Sequence, residues 1–219
     1  MKKKIEILFI GNSLTYYNLL PLCVKKFFAG IGVEARCVMQ TCGGKCLDYH
    51  CGRGDTEMNI KYGGFDYVVL QGKATGFDPE AFVPAGEKII KDLIIPVGSL
   101  PVLYMAWSLR DDPAGQIPMT AAYEKLAELT GAILAPAGEA WHRALRIRPK
   151  PELYMPDGNH PTRAGTYLCA ASVFYAITGR DRIIDVEENG FFSEYGLDRA
   201  TAVKLNRIAL REAARYRAK

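Results

Sequence analysis

No apolar run in this sequence approaches the roughly 20 residues that a membrane-crossing helix needs, so no membrane-embedded helix is expected. No Lys/Arg block is long enough to follow a phosphate backbone, and the formal net charge is only +4, so charge points to no nucleic-acid partner. The paired C-x-x-C spacing of structural zinc sites is missing. Cys37, Cys42, Cys46 and Cys51 cluster with His50, but at other intervals, and no second cluster exists. No metal or cofactor is expected, and the cysteines read as reduced thiols. Met1-Lys2-Lys3-Lys4 followed by Ile5 to Ile10 resembles a secretory leader, but the run is short, contains Glu6 and meets Gly11-Asn12-Ser13 instead of a small-residue cleavage site. The expected location is the cytoplasm. Repeats, linkers and low-complexity stretches are absent too, which leaves a single domain over residues 1–219.

What is present suits a soluble globular enzyme. Apolar residues make up 49% and charged residues 24%, enough to bury a full core and far from disordered composition. Strand and helix signals alternate. Apolar runs at Ile5–Ile10, Val33–Met39, Asp66–Leu70, Pro101–Trp107 and Ala132–Ala135 read as strands. Helical spacing covers Leu19–Gly30, Glu80–Ile95, Ala114–Thr130, Glu139–Arg146 and Arg163–Ile177, with a Pro-rich loop over Pro149–Pro161. Asp198–Arg217 reads as an amphipathic basic helix on the outside. Alternating βα units imply a parallel sheet with helices on both faces. In such sheets ligands bind beyond the carboxyl ends of the strands. Ser13, Gly43-Gly44, Gln71-Gly72 and Trp107 each follow or close a strand, so they fall on one rim.

Two short segments carry the chemistry. Asp157-Gly158-Asn159-His160 places a carboxylate and an imidazole three positions apart, and Gly11-Asn12-Ser13 places a hydroxyl where the first strand stops. A serine hydroxyl is a poor nucleophile until a base takes its proton, and that base needs a third group to fix its tautomer. Singly, each has an ordinary reading: Ser13 as a helix cap, Asp157 to Asn159 as a turn, His160 as the residue before a helix. Jointly, and in this order, they form a candidate Ser-His-Asp set. Asn12 is expected to hold the nucleophile loop by side-chain hydrogen bonds. His142 is expected to face solvent, and His50 to line the site without an identifiable partner.

Gly11-Asn12-Ser13-Leu14-Thr15, with Tyr16-Tyr17-Asn18 after it, resembles the first block of the SGNH (GDSL-like) hydrolase superfamily, in a branch reading G-N-S-x-T. Gly43, Gly44, Leu47 and His50 match that branch's G-G-x-x-L-x-x-H pattern, and Asp157-x-x-His160 matches the last block. The resemblance covers nearly the whole chain. It implies a flavodoxin-like three-layer α/β/α sandwich with a five-stranded parallel sheet. It also implies Ser13 as nucleophile, His160 as base and Asp157 as orienting partner. The oxyanion donors would be the N–H groups of Ser13 and Gly44, with Gly43 as the alternative. The third block departs from the pattern: Leu70-Gln71-Gly72 stands where the superfamily carries an Asn whose amide is a further donor. Gln71 offers the same amide on a longer stem.

The resulting expectation is acyl transfer to water on a small-molecule or carbohydrate ester, with short acyl groups such as acetyl ranked first. Asn12, Tyr16, Trp107 and Tyr154 are candidate pocket residues; Tyr16, Tyr17, Phe77, Trp107 and Tyr154 could form an aromatic platform for a sugar ring. Lysophospholipase or thioesterase chemistry is the second reading. A non-catalytic ligand-binding module is the third, although the strand-one loop lacks a dense glycine or Lys-Ser/Thr phosphate signature. Oligomeric state is not legible.

Overall fold

Five nearly continuous apolar runs account for the sheet. In a computed structural model, which describes residues 3–185, 187 and 190–218, the strands are β1 (Lys4–Gly11), β2 (Glu34–Thr41), β3 (Tyr67–Gln71), β4 (Leu100–Tyr104) and β5 (Ile133–Ala135). Met1, Lys2, Val186, Glu188, Asn189 and Lys219 of the expected domain lie outside the described residues. All pairings are parallel, in the order β2-β1-β3-β4-β5. β1 is an interior strand between β2 and β3, and Ile7, Leu8, Phe9 and Ile10 are fully buried although successive side chains point to opposite faces. Both faces of the sheet must therefore be covered.

The helices are α1 (Ser13–Tyr16), α2 (Leu20–Ala29), α3 (Leu47–His50), α4 (Gly54–Tyr62), α5 (Pro79–Ile89), α6 (Gln116–Thr130), α7 (Ala137–Ala144), α8 (Arg163–Thr178) and α9 (Arg199–Arg217). α2, α8 and α9 pack as one layer, and α5 and α6 pack together with α3 in another. The order 2-1-3-4-5 reverses direction between β1 and β3, and that crevice is where doubly wound folds hold ligands.

Several expected elements shift. The fourth strand ends at Tyr104 and not at Trp107, because β3 stops opposite Tyr104 and the three-residue β5 offers only one further bond, from Met105 N–H to the Ala135 carbonyl. The helix expected through Ile95 gives way after Ile89 to a π turn over Ile90–Ile94 and a 3-10 turn over Ile95–Val97. α3 and α4 occupy residues for which sequence alone indicated nothing. The basic helix α9 lies on the outside of α8 and buries Ala202, Leu205, Ala209 and Ala213. Its buried Asn206 accepts from the Tyr175 hydroxyl at 2.7 Å and donates to the Tyr167 hydroxyl at 2.8 Å. Among the described residues, no helix is long and apolar enough to cross a membrane.

Candidate active site

The nucleophile loop follows from how β1 must end. A Cβ on Gly11 would stand 2.6 Å from Gln71 Oε1 and 2.8 Å from Thr15 Oγ1, so only glycine lets the chain pass between them. Asn12 then caps α1: its Oδ1 accepts from Leu14 N–H at 3.1 Å, while its Nδ2 donates to the Lys45 carbonyl at 2.7 Å. The two rim loops are thereby tied together, and Ser13 sits in the first turn, 8% exposed. Among the described residues, the N–H groups of Ser13 and Gly44 have no acceptor within the protein.

The last loop is shaped by Asp157. Its Oδ1 accepts from the N–H groups of Asn159 and His160, both at 3.0 Å, and Gly158 takes the positive φ of 68° that closes the turn. The other carboxylate oxygen, Oδ2, lies 2.6 Å from His160 Nδ1, and His160 Nε2 lies 2.9 Å from Ser13 Oγ. Slight burial works against the charge on Asp157. The His160 ring and the two N–H groups outweigh it, holding the carboxyl at about 2. A carboxylate only accepts, so Nδ1 carries the ring proton and Nε2 presents its lone pair to the Ser13 hydroxyl. Residues from the two ends of the chain thus meet with the connectivity that proton transfer from serine requires.

Sequence reasoning overlooked a clamp on this loop. The segment after β4 holds it through Arg110 N–H to the Gly158 carbonyl at 2.8 Å and Trp107 Nε1–H to the Asn159 carbonyl at 3.0 Å. The Arg110 guanidinium adds bonds to the carbonyls of Tyr154 and Met155 and to Glu152. The Tyr154 hydroxyl donates back to the Ser108 carbonyl at 2.8 Å. Asn18 ties the loop from the other side, donating to the Pro161 carbonyl at 2.9 Å and to Thr166 Oγ1 at 3.0 Å. The Tyr16-Tyr17-Asn18 string was visible in the sequence, but nothing there marked Arg110.

Four expectations are corrected. Gln71 is not placed to donate to an oxyanion: it is fully buried beneath the nucleophile loop. Its Oε1 accepts from Asn12 N–H at 3.1 Å and from the Thr15 hydroxyl at 2.9 Å, while Nε2 is enclosed without a partner. Because the Asn12 N–H can only donate, the amide cannot be turned the other way. Trp107 is fully buried and stacks on Trp141 at 4.1 Å, while Tyr154 meets the same indole edge-on at 4.9 Å and lines only a small pocket with Arg110, His142 and Glu152, which neither Ser13 nor His160 lines. Asn12 is buried, and of the proposed aromatic platform Tyr16, Tyr17 and Phe77 stay half-exposed, Phe77 with its ring packed on Phe82 and Tyr123. His142 does not face solvent. It is half-buried, its Nε2 shares a 3.1 Å hydrogen bond with Ser108 Oγ, and burial lowers its pKa.

Gly43 faces Tyr16, whose hydroxyl would stand 3.0 Å from a Cβ placed there. His50 does acquire a partner: its buried Nε2–H donates to the Gly11 carbonyl at 2.9 Å, directly behind the nucleophile loop. A cavity of about 730 Å³ opens on the opposite rim, at the amino end of β5 between α6, α8 and α9, and is separate from Ser13.

No protein-family model matches the chain, and no curated protein matches it. Solved structures do. A DUF4886 family protein from Bacteroides uniformis superposes with a TM-score of 0.77 at 20% identity, over 99% of this chain and 96% of that one. The psychrotrophic esterase EstA from a Pseudoalteromonas species gives 0.60 at 16% identity, over 80% of this chain and 97% of that one. A catalytic mutant of Axe2, an acetylxylan esterase from Geobacillus stearothermophilus, gives 0.55 at 16% identity, over 89% and 97%. At these identities the likeness is one of architecture: the chain has the fold of the SGNH (GDSL-like) hydrolases.

Proposed function

We propose that this protein is a serine ester hydrolase that removes short acyl groups, acetyl first, from carbohydrate or small-molecule esters. The reading is carried by one observation, the continuous hydrogen-bonded path from Ser13 Oγ through His160 to Asp157 at 2.9 and 2.6 Å. Ser13 Oγ attacks the ester carbonyl while His160 Nε2 takes its proton, and the oxyanion rests on the N–H groups of Ser13 and Gly44. The imidazolium then passes the proton to the leaving alcohol. Water, deprotonated by the same imidazole, releases the acid and restores Ser13. The esterases of like fold support this chemistry, and an acetylxylan esterase among them favours a short acyl group on a sugar. With Gln71 committed to the nucleophile loop, the oxyanion has two backbone donors. A missing third donor typically costs roughly 10²–10³ in turnover, so modest rates are expected.

The test is hydrolysis of p-nitrophenyl acetate, butyrate and octanoate by the wild type and by Ser13→Ala. The expected result is fastest turnover of acetate and a loss of at least about 10³ in the variant. Equal rates in the two proteins would overturn the nucleophile, and preference for octanoate would replace the short-acyl reading with a lysophospholipase or thioesterase one.

A further inference from the structure

Asn18 and Leu19 both sit in left-handed backbone, at φ 50° and 55°, in a sequence where glycine does not explain it. For leucine in particular this conformation is unfavourable and persists only where the surroundings impose it. The surroundings here are the base loop. The Asn18 side chain spans from the nucleophile segment to the Pro161 carbonyl, the residue after His160, and to Thr166 on α8. Pinned in this way, the preceding residue lays its ring on the imidazole: the Tyr17 and His160 rings stack with centroids 4.2 Å apart and planes 17° from parallel.

We propose that Tyr17, held by Asn18, is a positioning residue that fixes the plane of the His160 imidazole for proton transfer. The inference rests on the hydrolase reading above. An imidazole bonded at both nitrogens can still rock about the axis joining them, and rocking misaligns Nε2 from the Ser13 hydroxyl. A stacked ring on one side removes that freedom. It also presents a π face to the imidazolium that forms when the Ser13 proton arrives, an interaction that strengthens only as charge develops. Tyr16 stacks in turn on Tyr17 at 5.8 Å, extending the wall away from the histidine.

The experiment compares wild type, Tyr17→Leu, Tyr17→Phe and Asn18→Gly by two readouts. One is kcat and KM on p-nitrophenyl acetate. The other is the downfield proton resonance of the His160 Nδ1–H bonded to Asp157, which reports the imidazole directly and needs no turnover. The expected result for Tyr17→Leu is a drop in kcat of about tenfold to a hundredfold with KM within about twofold, and a Nδ1–H resonance broadened by exchange. Tyr17→Phe keeps the ring and recovers most of that loss with a sharp resonance. Asn18→Gly relieves the left-handed strain but removes the pin, and gives a smaller loss with partial broadening. An unchanged resonance and kcat in Tyr17→Leu would overturn the proposal. So would a rise in KM at constant kcat, which would make Tyr17 a substrate platform. A Tyr17→Phe variant as damaged as Tyr17→Leu would assign the role to the hydroxyl instead. Should Ser13→Ala match the wild type, the hydrolase reading fails by itself, and the resonance still decides whether the ring holds His160.

Discussion

Asp157 decides the protonation of its neighbour, because a carboxyl held at about 2 remains ionised through any pH at which the enzyme would work. The base, by contrast, works only as the neutral imidazole. The expected kcat/KM falls as His160 takes a proton, and a rate that stayed flat down to about pH 4 would remove His160 as the base. Asp157→Asn tests the other partner. An amide at this position can donate to Nδ1 and so stabilise the tautomer whose proton sits on Nε2, where it blocks acceptance from Ser13. Such a change costs about 10⁴ in kcat in serine hydrolases with the same connectivity, and steady-state rates on p-nitrophenyl acetate measure it. A loss below about tenfold would show that the loop backbone, not the carboxylate, orients the ring. The same low pKa has a consequence for folding. A carboxyl depressed in the native state stabilises the fold above its unfolded value and loses that contribution as pH falls through about 2. The side chain is about half exposed, so solvent screening keeps the contribution small.

At the scale of elements, the β3 terminus shows what sequence reading reached and what it missed. A run of Tyr67-Val68-Val69-Leu70 declares a buried parallel strand, and the alternation of such runs with helical segments was enough to assign the layers and the rim on which Ser13 lies. The segments that escaped notice carry weak periodicity. α3 and α4 together span Leu47–Tyr62, but α4 buries only Thr56 and Ile60, too little to print an apolar stripe. The aromatic residues were misassigned for a related reason. A Trp in a rim loop reads the same whether it meets ligand or another Trp, and only the fold brings Trp141 against Trp107. Gln71 could not be resolved either, since the direction of an amide depends on donors distant in sequence. Gln71→Asn separates the two roles. As an oxyanion donor, Asn at this position would restore the superfamily's pattern and raise turnover. As the acceptor beneath the nucleophile loop, it is one methylene short and leaves the Asn12 N–H and Thr15 hydroxyl buried without a partner. The expected outcome is a loss of about 2–4 kcal/mol in denaturant melts together with reduced kcat. A stable variant of higher activity would return Gln71 to the oxyanion site.

At the scale of the whole molecule, two of the three histidines are built into the fold in neutral form. His50 is buried behind β1, its Nε2–H given to the Gly11 carbonyl and its Nδ1 enclosed without a partner, and burial lowers its pKa against smaller opposing effects from that carbonyl and from Asp55. Burial lowers that of His142 as well. In the unfolded chain both rings regain the ordinary value of 6.5 and bind protons that the folded chain excludes. Stability therefore rises with pH across that range: it is fully present above the unfolded value, is lost as pH falls below it, and levels off under the folded value. The Asp157 contribution begins to fall only in stronger acid, below its unfolded value of 3.8. Thermal melts of the wild type should show Tm falling between about pH 7 and pH 5. His50→Gln keeps a neutral donor for the Gly11 carbonyl but cannot take up a proton. Its Tm at neutral pH is expected to be somewhat lower, because the amide fills less of the cavity, and its slope against pH shallower than that of the wild type. Parallel slopes in the two proteins would place the acid sensitivity elsewhere. A shallower slope would mean that the support behind the nucleophile loop weakens as His50 takes up a proton, so that in acid this protein loses the packing behind Ser13.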